Sequence, residues 1–502
     1  MNILILPDAN FKWFWKKLIK TITTIPRFRI YLYSRTISLI QYLNSNETNK
    51  TFHAFYKDFY KLVMNNEVPA RVDWKKVEYI EKKYNISLLY DVILTDRQLG
   101  KDFYLSATKH HDTKISKKCS LNKSLNLCIK SFEYWENIIK KYKINLIVSY
   151  GAGWGLHSRP LFIIAKNRKI RIRNLVSGRI RSLFYWAADE YGEFNKKIKR
   201  DFDIQKKGKF RKENIKNLKN ILSSTSVEKK TIESRTFFGL LKKITHHILT
   251  HFYRYFKNKE KFEQAPPFFE GLNYLLNGYI NQKYINRVAE KKINSKDLSN
   301  SFFLPLQQVP ESTTIGLSFM HDQLNFVLET ALRLPPQYKL IVKEHLYSIE
   351  GRSRDFYNSI KKLPNVIFAH NHISGEYLIS NCKGVITLSS SAAYESAILG
   401  KPTIIFEKTP HIKKLHNVLW CRDINELKRL PAFLNKGIFN NKLEVTNING
   451  QIHLQKCIKN FFSLQGDNLA TTDKEMNDID NEKALINLFS SLNIRYEKKI
   501  SN

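Results

Sequence analysis

Cysteine is scarce and unpatterned in this 502-residue chain: Cys119, Cys128, Cys382, Cys421 and Cys457 form no CxxC pair and no metal-ligand spacing. An odd, scattered set argues against a disulfide framework or a zinc motif, and for reduced thiols in a cytoplasmic protein. Long apolar runs are missing too, and none approaches the ~18 residues a spanning helix needs. The opening MNILILP is apolar, but Pro7 and Asp8 break it at once. It is read as a first buried strand rather than a signal peptide. Acidic residues are the third shortage, with 45 Asp+Glu against 83 Lys+Arg and a formal charge of +38. That excess points to an anionic partner without choosing among nucleic acid, acidic lipid, nucleotide and charged glycan. A helix-turn-helix, a zinc module and an RNA-stacking motif are all lacking, so no specific nucleic acid is expected.

Core material is ample. Hydrophobic residues make up 43% of the chain, with 32 Phe, 25 Tyr and 7 Trp. The length asks for two domains. In the N-terminal half, candidate strands at 2–6, 145–150 and 169–176 alternate with helices, among them a basic helix from about Phe11 and a long helix ending near Lys143. The apolar run SLLYDVILTD (87–96) belongs to the same alternation. From Ser301 the pattern sharpens into four βα repeats, with strands in FFLPL, KLIVKEH, NVIFAH, GVITLSS and PTIIFE. Such alternation predicts parallel, doubly wound sheets. Residues 196–261 differ, carrying 20 Lys/Arg against 6 Asp/Glu. Phe237, Leu241, Ile244, Ile248, Phe252 and Phe256 share one helical face there, which predicts a basic helical insertion.

Ligands of open α/β sheets bind beyond the carboxyl ends of the strands. Three segments qualify. In SSSAAYESAILGKP (389–402), Ser389, Ser390 and Ser391 lead into an Ala-rich helix. Small residues, free N–H groups and the helix dipole suit a phosphate there, with Glu395 one turn on for ribose hydroxyls. Simple helix capping is the alternative. In KEH, Lys343, Glu344 and His345 leave a strand end together, where they can neutralise a phosphate, orient a sugar or shuttle a proton, unless this is an ordinary polar strand end; Arg352 follows as a phosphate fork. The stiff loop PLQQVPE offers Gln308 and Glu311. On the N-terminal side, GAGWGLHSRP (151–160) lacks the full dinucleotide fingerprint. It reads either as an acceptor-side loop presenting His157 and Arg159 or as a packing turn. The helix FKWFWKKLIK (11–20) either lies on an acidic membrane surface or is a core helix with solvated lysines.

Taken in order, these motifs resemble the capsule polysaccharide biosynthesis family, which includes the Kdo transferases of capsule export. The resemblance runs over residues 302–408. It rests on Pro-Leu-x-x-x-Pro-Glu, here PLQQVPE; Asp-Gln, here Asp322–Gln323; Lys-Glu-His, here 343–345; then GRSRDFY, LPNV and the serine turn ending in Gly-Lys-Pro. Leu346 stands where the family has proline, and Ser390, Ala392 and Ala393 replace the glycines of the phosphate turn. DRQLGKDF (96–103) resembles the family loosely, adding Asp96 and Arg97 on the acceptor side.

The resemblance implies a GT-B-like α/β chain, two Rossmann-like domains facing a cleft. Residues 1–298 would form the acceptor-side domain, including the insertion 196–261. Residues 299–430 would bind the nucleotide-sugar, and 431–502 would form a mixed tail with a terminal helix. It implies a metal-independent glycosyltransferase without a bound cofactor. His345 and Glu311 would be catalytic, with Lys343, Arg352, Ser389, Ser390, Ser391 and Glu395 on the donor. The donor would be a nucleotide-sugar, CMP-linked among the candidates, and the acceptor a surface glycan, free or lipid-linked. The location implied is the cytoplasm, at the inner face of an acidic membrane. The alternatives are a CDP-polyol phosphotransferase of the teichoic-acid type and a non-catalytic nucleic-acid-binding protein.

Overall fold

The computed structural model describes residues 1–8, 11–25, 27–34, 37–44, 52–56, 59–103, 113–151, 153–180, 183–203, 236–257, 265–308, 311–435, 443–463 and 478–493. Two sheets organise them, each within its own compact unit. The stretches 204–235 and 258–261 of the expected insertion, and most of the acidic segment before the last helix, lie outside the described residues.

The first sheet contains β1 (Asn2–Leu6), β2 (Arg29–Ser34), β3 (Phe52–Tyr56), β4 (Leu146–Tyr150), β5 (Arg171–Ser177), β6 (Leu183–Ala187) and β13 (Phe462–Ser463). Its order is β13-β6-β5-β4-β1-β2-β3. The pairs from β5 to β3 are parallel, and β6 and β13 close one edge antiparallel. Strands β2, β3 and β6 are rich in aromatics, where β1 and β4 are mainly aliphatic. The run 87–96 is not a strand: Leu88–Ile93 forms a π-helical turn, with the Ser87 hydroxyl accepting from the Tyr90 N–H.

The helix Lys12–Thr23 settles its own two readings. Trp13, Phe14, Trp15, Leu18, Ile19 and Ile22 are buried in the core of the first sheet. Each such side chain is worth about 1.5–3 kcal/mol when fully buried, so this face is not available to a lipid surface.

The second sheet is parallel throughout, with order β12-β11-β10-β7-β8-β9. Its strands are β7 (Ser301–Pro305), β8 (Lys339–Lys343), β9 (Val366–Ala369), β10 (Gly384–Thr387), β11 (Thr403–Ile405) and β12 (Val418–Trp420). Both faces are covered, as an all-parallel sheet requires. Phe302, Leu304, Leu340 and Val342 enter one core cluster, while the alternate residues Phe303 and Ile341 enter another. Gly384 has to be glycine: a Cβ there would sit 2.2 Å from the Pro402 carbonyl oxygen. Counted from β7, the strand order is 3-2-1-4-5-6, and it reverses between β7 and β10. The two parallel-sheet α/β units are those expected of a GT-B-like chain.

The linear division expected from the sequence is redrawn. One unit comprises 1–95, 121–211 and 455–502, and the other comprises 96–120 and 212–454. The tail returns to the first sheet because its helix Asp478–Ser491 has an apolar face to bury. Ala484, Leu485, Leu488 and Phe489 pack with Phe184 and Trp186, and the Trp186 indole donates to the Ala484 carbonyl at 3.0 Å. Helix Phe268–Val288 joins the second unit instead, where the Asn281 amide donates to the carbonyls of Ile349 and Arg352, both at 2.8 Å.

Candidate functional site

The reversal of strand order makes the carboxyl ends of β7 and β10 the place where the second sheet can take a ligand. One side chain ties the two ends together. Gln307, two residues past β7, is buried. Its amide orientation follows from the hydrogen-bond network: the nitrogen donates to the hydroxyls of Thr314 (3.0 Å) and Ser389 (3.1 Å). The oxygen accepts from the Ser389 N–H (2.7 Å), the Ser390 N–H (3.0 Å) and the Thr387 hydroxyl (3.0 Å). Gln307 thus uses the first N–H groups of the serine turn itself. Gln307, not its neighbour Gln308, is the inward residue, and it is the first polar residue after the apolar run.

The Asp-Gln pair opening the next helix has two separate tasks. Asp322 caps helix Gln323–Arg333 by accepting from the Asn325 N–H at 2.9 Å. Gln323 is buried and pairs with the backbone of Gln307, accepting from its N–H at 3.0 Å and donating to its carbonyl at 2.9 Å. Arg352 completes the network and corrects an expectation. Its guanidinium was to fork onto donor phosphate, yet Nε donates to Glu344 at 3.0 Å, and both side chains are 0% exposed. Nη2 reaches the Gln307 carbonyl (3.3 Å) and Gln323 Oε1 (3.1 Å), and the group stacks over Phe356 at 4.2 Å. A buried carboxylate needs a paired cation more than solvent does, so the motif's arginine is spent on the scaffold. Burial and Glu344 push the Tyr357 hydroxyl well above its usual pKa, which keeps it neutral beside the pair.

Of KEH, Glu344 therefore points inward and its flanking residues carry any chemistry. Lys343 ends β8 and is largely buried. His345 follows half-buried and caps the short 3-10 helix Leu346–Gly351: Nδ1 accepts from the Tyr347 N–H at 3.3 Å. A neutral ring that accepts at Nδ1 keeps its proton on Nε2, as a donor. Leu346, in the position of the family's proline, opens that helix and is buried in the core.

In the serine turn the capping alternative is met. Ser390 caps helix Ser391–Ile398, accepting from the Ala392 N–H at 3.3 Å, and Ser389 is buried against Gln307. Ser391 remains exposed at the helix N-terminus, with Glu395 half-buried one turn further on. Glu311 sits at the N-terminal end of helix Ser312–Leu317 without a side-chain cap bond.

In the first unit the Gly-rich turn follows β4 as expected, but Arg159 is not presented to a glycan. It is 4% exposed and donates to Glu190 (2.7 Å), the Asp91 carbonyl (2.9 Å) and the Tyr191 hydroxyl (2.6 Å). Burial opposes its charge, but Glu190 and Tyr191 outweigh that and hold its pKa above the usual value. Gly153, at φ +102°, would carry a Cβ 2.7 Å from that of Glu190, so the turn is glycine-rich in order to pack on this pair. His157 is half-buried, and its carbonyl accepts from the Trp135 indole at 2.8 Å. Asp96 belongs to the other unit, where its buried carboxylate accepts from the N–H groups of Gln98 and Leu99; Arg97 beside it is exposed. Of metal-ligating groups in the second unit, His411 Nδ1 and His453 Nε2 share a hydrogen bond at 2.8 Å.

Comparison with known proteins places these motifs. A curated relative, Protein FixF of Sinorhizobium fredii, is 31% identical over 123 residues, 24% of this chain and 29% of that protein. The match spans under a third of the relative's length. Among solved structures, the UDP-GlcNAc 2-epimerase of Neisseria meningitidis is 9% identical, covering 92% of this chain and 100% of that one with a TM-score of 0.23. The KpsC beta Kdo 2,7 transferase of Thermosulfurimonas dismutans is 14% identical, covering 62% and 86% with a TM-score of 0.26. Residues 208–411 match the family described as capsule polysaccharide biosynthesis protein, and this span contains the whole network around Gln307, Glu344 and Arg352 together with the serine turn. The family match thus covers residues 208–411, the part of the chain that holds the site.

Proposed function

We propose that this chain is a metal-independent glycosyltransferase that moves a sugar from a nucleotide donor, CMP-linked among the candidates, to a growing surface glycan. One observation carries the reading: the loop after β7 and the turn after β10 are locked together at the strand-order reversal. The N-terminus of helix Ser391–Ile398 opens there, and Lys343 and His345 leave the neighbouring strand. A helix N-terminus attracts phosphate. In this reading Ser390 and Ser391 meet the diphosphate or monophosphate, Glu395 the ribose, and Lys343 and His345 the charge on the leaving group. Glu311 stands as the candidate acid or base.

A thermal-shift series with CMP, CDP, UDP and GDP tests the reading, because a ligand that binds only the native state raises the melting temperature. One of the four should do so. Glu395→Ala should weaken that nucleotide by roughly 1.5–3 kcal/mol, the worth of a charged hydrogen bond, while the fold survives. Unchanged affinity in the folded variant removes Glu395 from the site, and no response to any nucleotide removes the donor reading. Turnover of a CDP-activated polyol, and not of a sugar donor, would replace it with the polyol-phosphate reading.

Attachment to an acidic membrane is part of the proposal, with the helix Phe237–Lys257 in place of the buried Lys12–Thr23. Phe238 is 81% exposed and Phe256 73%, with Leu249, Phe252 and Tyr253 also exposed. Lys242, Lys243, Arg254 and Lys257 share the helix. Large exposed apolar surface beside cations suits an anionic interface. Among the described residues no helix is long and apolar enough to cross a membrane. Binding to phosphatidylglycerol vesicles should fall steeply with salt, and Phe238→Ser with Phe256→Ser should weaken it at least tenfold. Equal binding to neutral vesicles, or none to either, rejects the attachment.

A further inference from the structure

The first unit holds a recess of about 880 Å³ that the proposed transfer leaves unused. It lies at the amino end of β5, the edge opposite to the one where open α/β sheets take their ligands. Arg171 and Arg173 come from the start of β5, Lys166 and Lys169 from the end of helix Arg159–Asn167 and the residues after it, and Lys196 and Arg200 from helix Lys196–Asp203.

The acidic residues that also line it are engaged. Asp189 accepts from the N–H groups of Tyr191 (3.0 Å) and Glu193 (2.9 Å), and Glu190 is held by Arg159. The six cations have no carboxylate partner among the described residues. Arg173 is half-buried, yet among the described residues its donors meet neutral oxygens, the Ser491 hydroxyl and the Ile172 carbonyl at 2.7 Å each and the Ser491 carbonyl. Burial and the neighbouring Arg171 push its pKa down to about 10, the direction expected of a cation whose charge is opposed by its surroundings. Like charges gathered around one concavity repel each other, and a bound polyanion relieves that repulsion. Guanidinium forks match the oxygens of phosphate and carboxylate alike.

We infer that this recess binds a soluble polyanion bearing two or more phosphate or carboxylate groups, at a site separate from the nucleotide. Its volume falls in the ~300–1,000 Å³ range of small-ligand sites. A concave site lined by a half-buried guanidinium suits a free ligand better than the flat face of a bilayer.

Lysine acetylation of the full-length chain, read by mass spectrometry, tests the inference at low salt. Inorganic pyrophosphate and trigalacturonate serve as probes for the two anionic groups. Either one should protect Lys166, Lys169 and Lys196 about fivefold or more. Lys75 and Lys82, exposed on helix Trp74–Tyr84, should label unchanged. Arg171→Gln with Arg200→Gln should raise the concentration for half-protection at least tenfold without lowering the melting temperature. Protection should persist in Glu395→Ala, and its loss there would assign the anion to the nucleotide site and overturn the inference. Equal labelling with and without both probes overturns it too, as does protection by phosphatidylglycerol vesicles alone, or an unchanged midpoint in the double variant.

Discussion

Arg352→Met should destabilise the second unit by about 3–5 kcal/mol, the usual cost of stranding one partner of a buried ion pair. Glu344 would keep the N–H of His345 at 2.7 Å but lose its only ion-pair partner among the described residues, inside a core where both side chains are inaccessible. Two further bonds would go with it, those to the Gln307 carbonyl and to Gln323. Neutralising the survivor is the control. With Glu344→Gln added, the stranded charge disappears, and the double variant should recover part of the loss because the two sites are coupled. Urea denaturation of the four proteins of this cycle measures it. A loss below about 1 kcal/mol for Arg352→Met would show the pair to be solvated in solution and the network around Gln307 to be held by other contacts. Nucleotide affinity should fall alongside stability, since Gln307 also orders the serine turn.

His345→Ala should lower turnover about 10²–10³-fold, the range for removing one preorganised donor to developing charge. Its Nδ1 is occupied by the Tyr347 N–H, so the neutral ring presents Nε2–H at the carboxyl end of β8. Nucleotide affinity should change much less, because the charge on the leaving phosphate grows only in the transition state. The cap must be separated from the chemistry. Losing it costs about 0.5–2 kcal/mol of stability, and His345→Asn supplies a new side-chain acceptor there. If only the cap matters, His345→Asn recovers both melting temperature and turnover. If Nε2–H acts on the leaving group, stability returns and turnover does not. Near-normal transfer by His345→Ala would make the histidine structural and leave Lys343 to carry the charge.

Much of the second unit is legible without coordinates. The runs in FFLPL, KLIVKEH, NVIFAH, GVITLSS and PTIIFE become β7 to β11 within a residue or two, because a parallel strand buried on both faces needs an unbroken apolar run. The first unit is less legible. Strands β2 and β6 are built on aromatics with only a few aliphatics, and β13 is two residues long. The run 87–96 has the composition of a strand, but it forms a π-turn fixed by Ser87 and packed beneath a glycine-rich loop: the Gly155 N–H donates to the Thr95 hydroxyl at 3.1 Å.

For the site, the sequence determined which residues leave the strand ends, since that follows from where each apolar run stops. It also determined the family motifs and the cationic balance. It did not determine which polar groups face inward. Lys343, Glu344 and His345 are consecutive, and Arg159 and Arg352 both follow a glycine-bearing turn, so nothing local distinguishes a ligand contact from a buried ion pair. Only the tertiary structure supplied Glu344 for Arg352 and Glu190 for Arg159, partners 8 and 31 residues away. It likewise returned the C-terminal helix to the first sheet and gathered cations from two helices and a strand around one recess. The physical reason is common to all three. Hydrophobic periodicity is a local property of the chain, whereas the cost of burying a charge depends on partners that only the fold brings within reach.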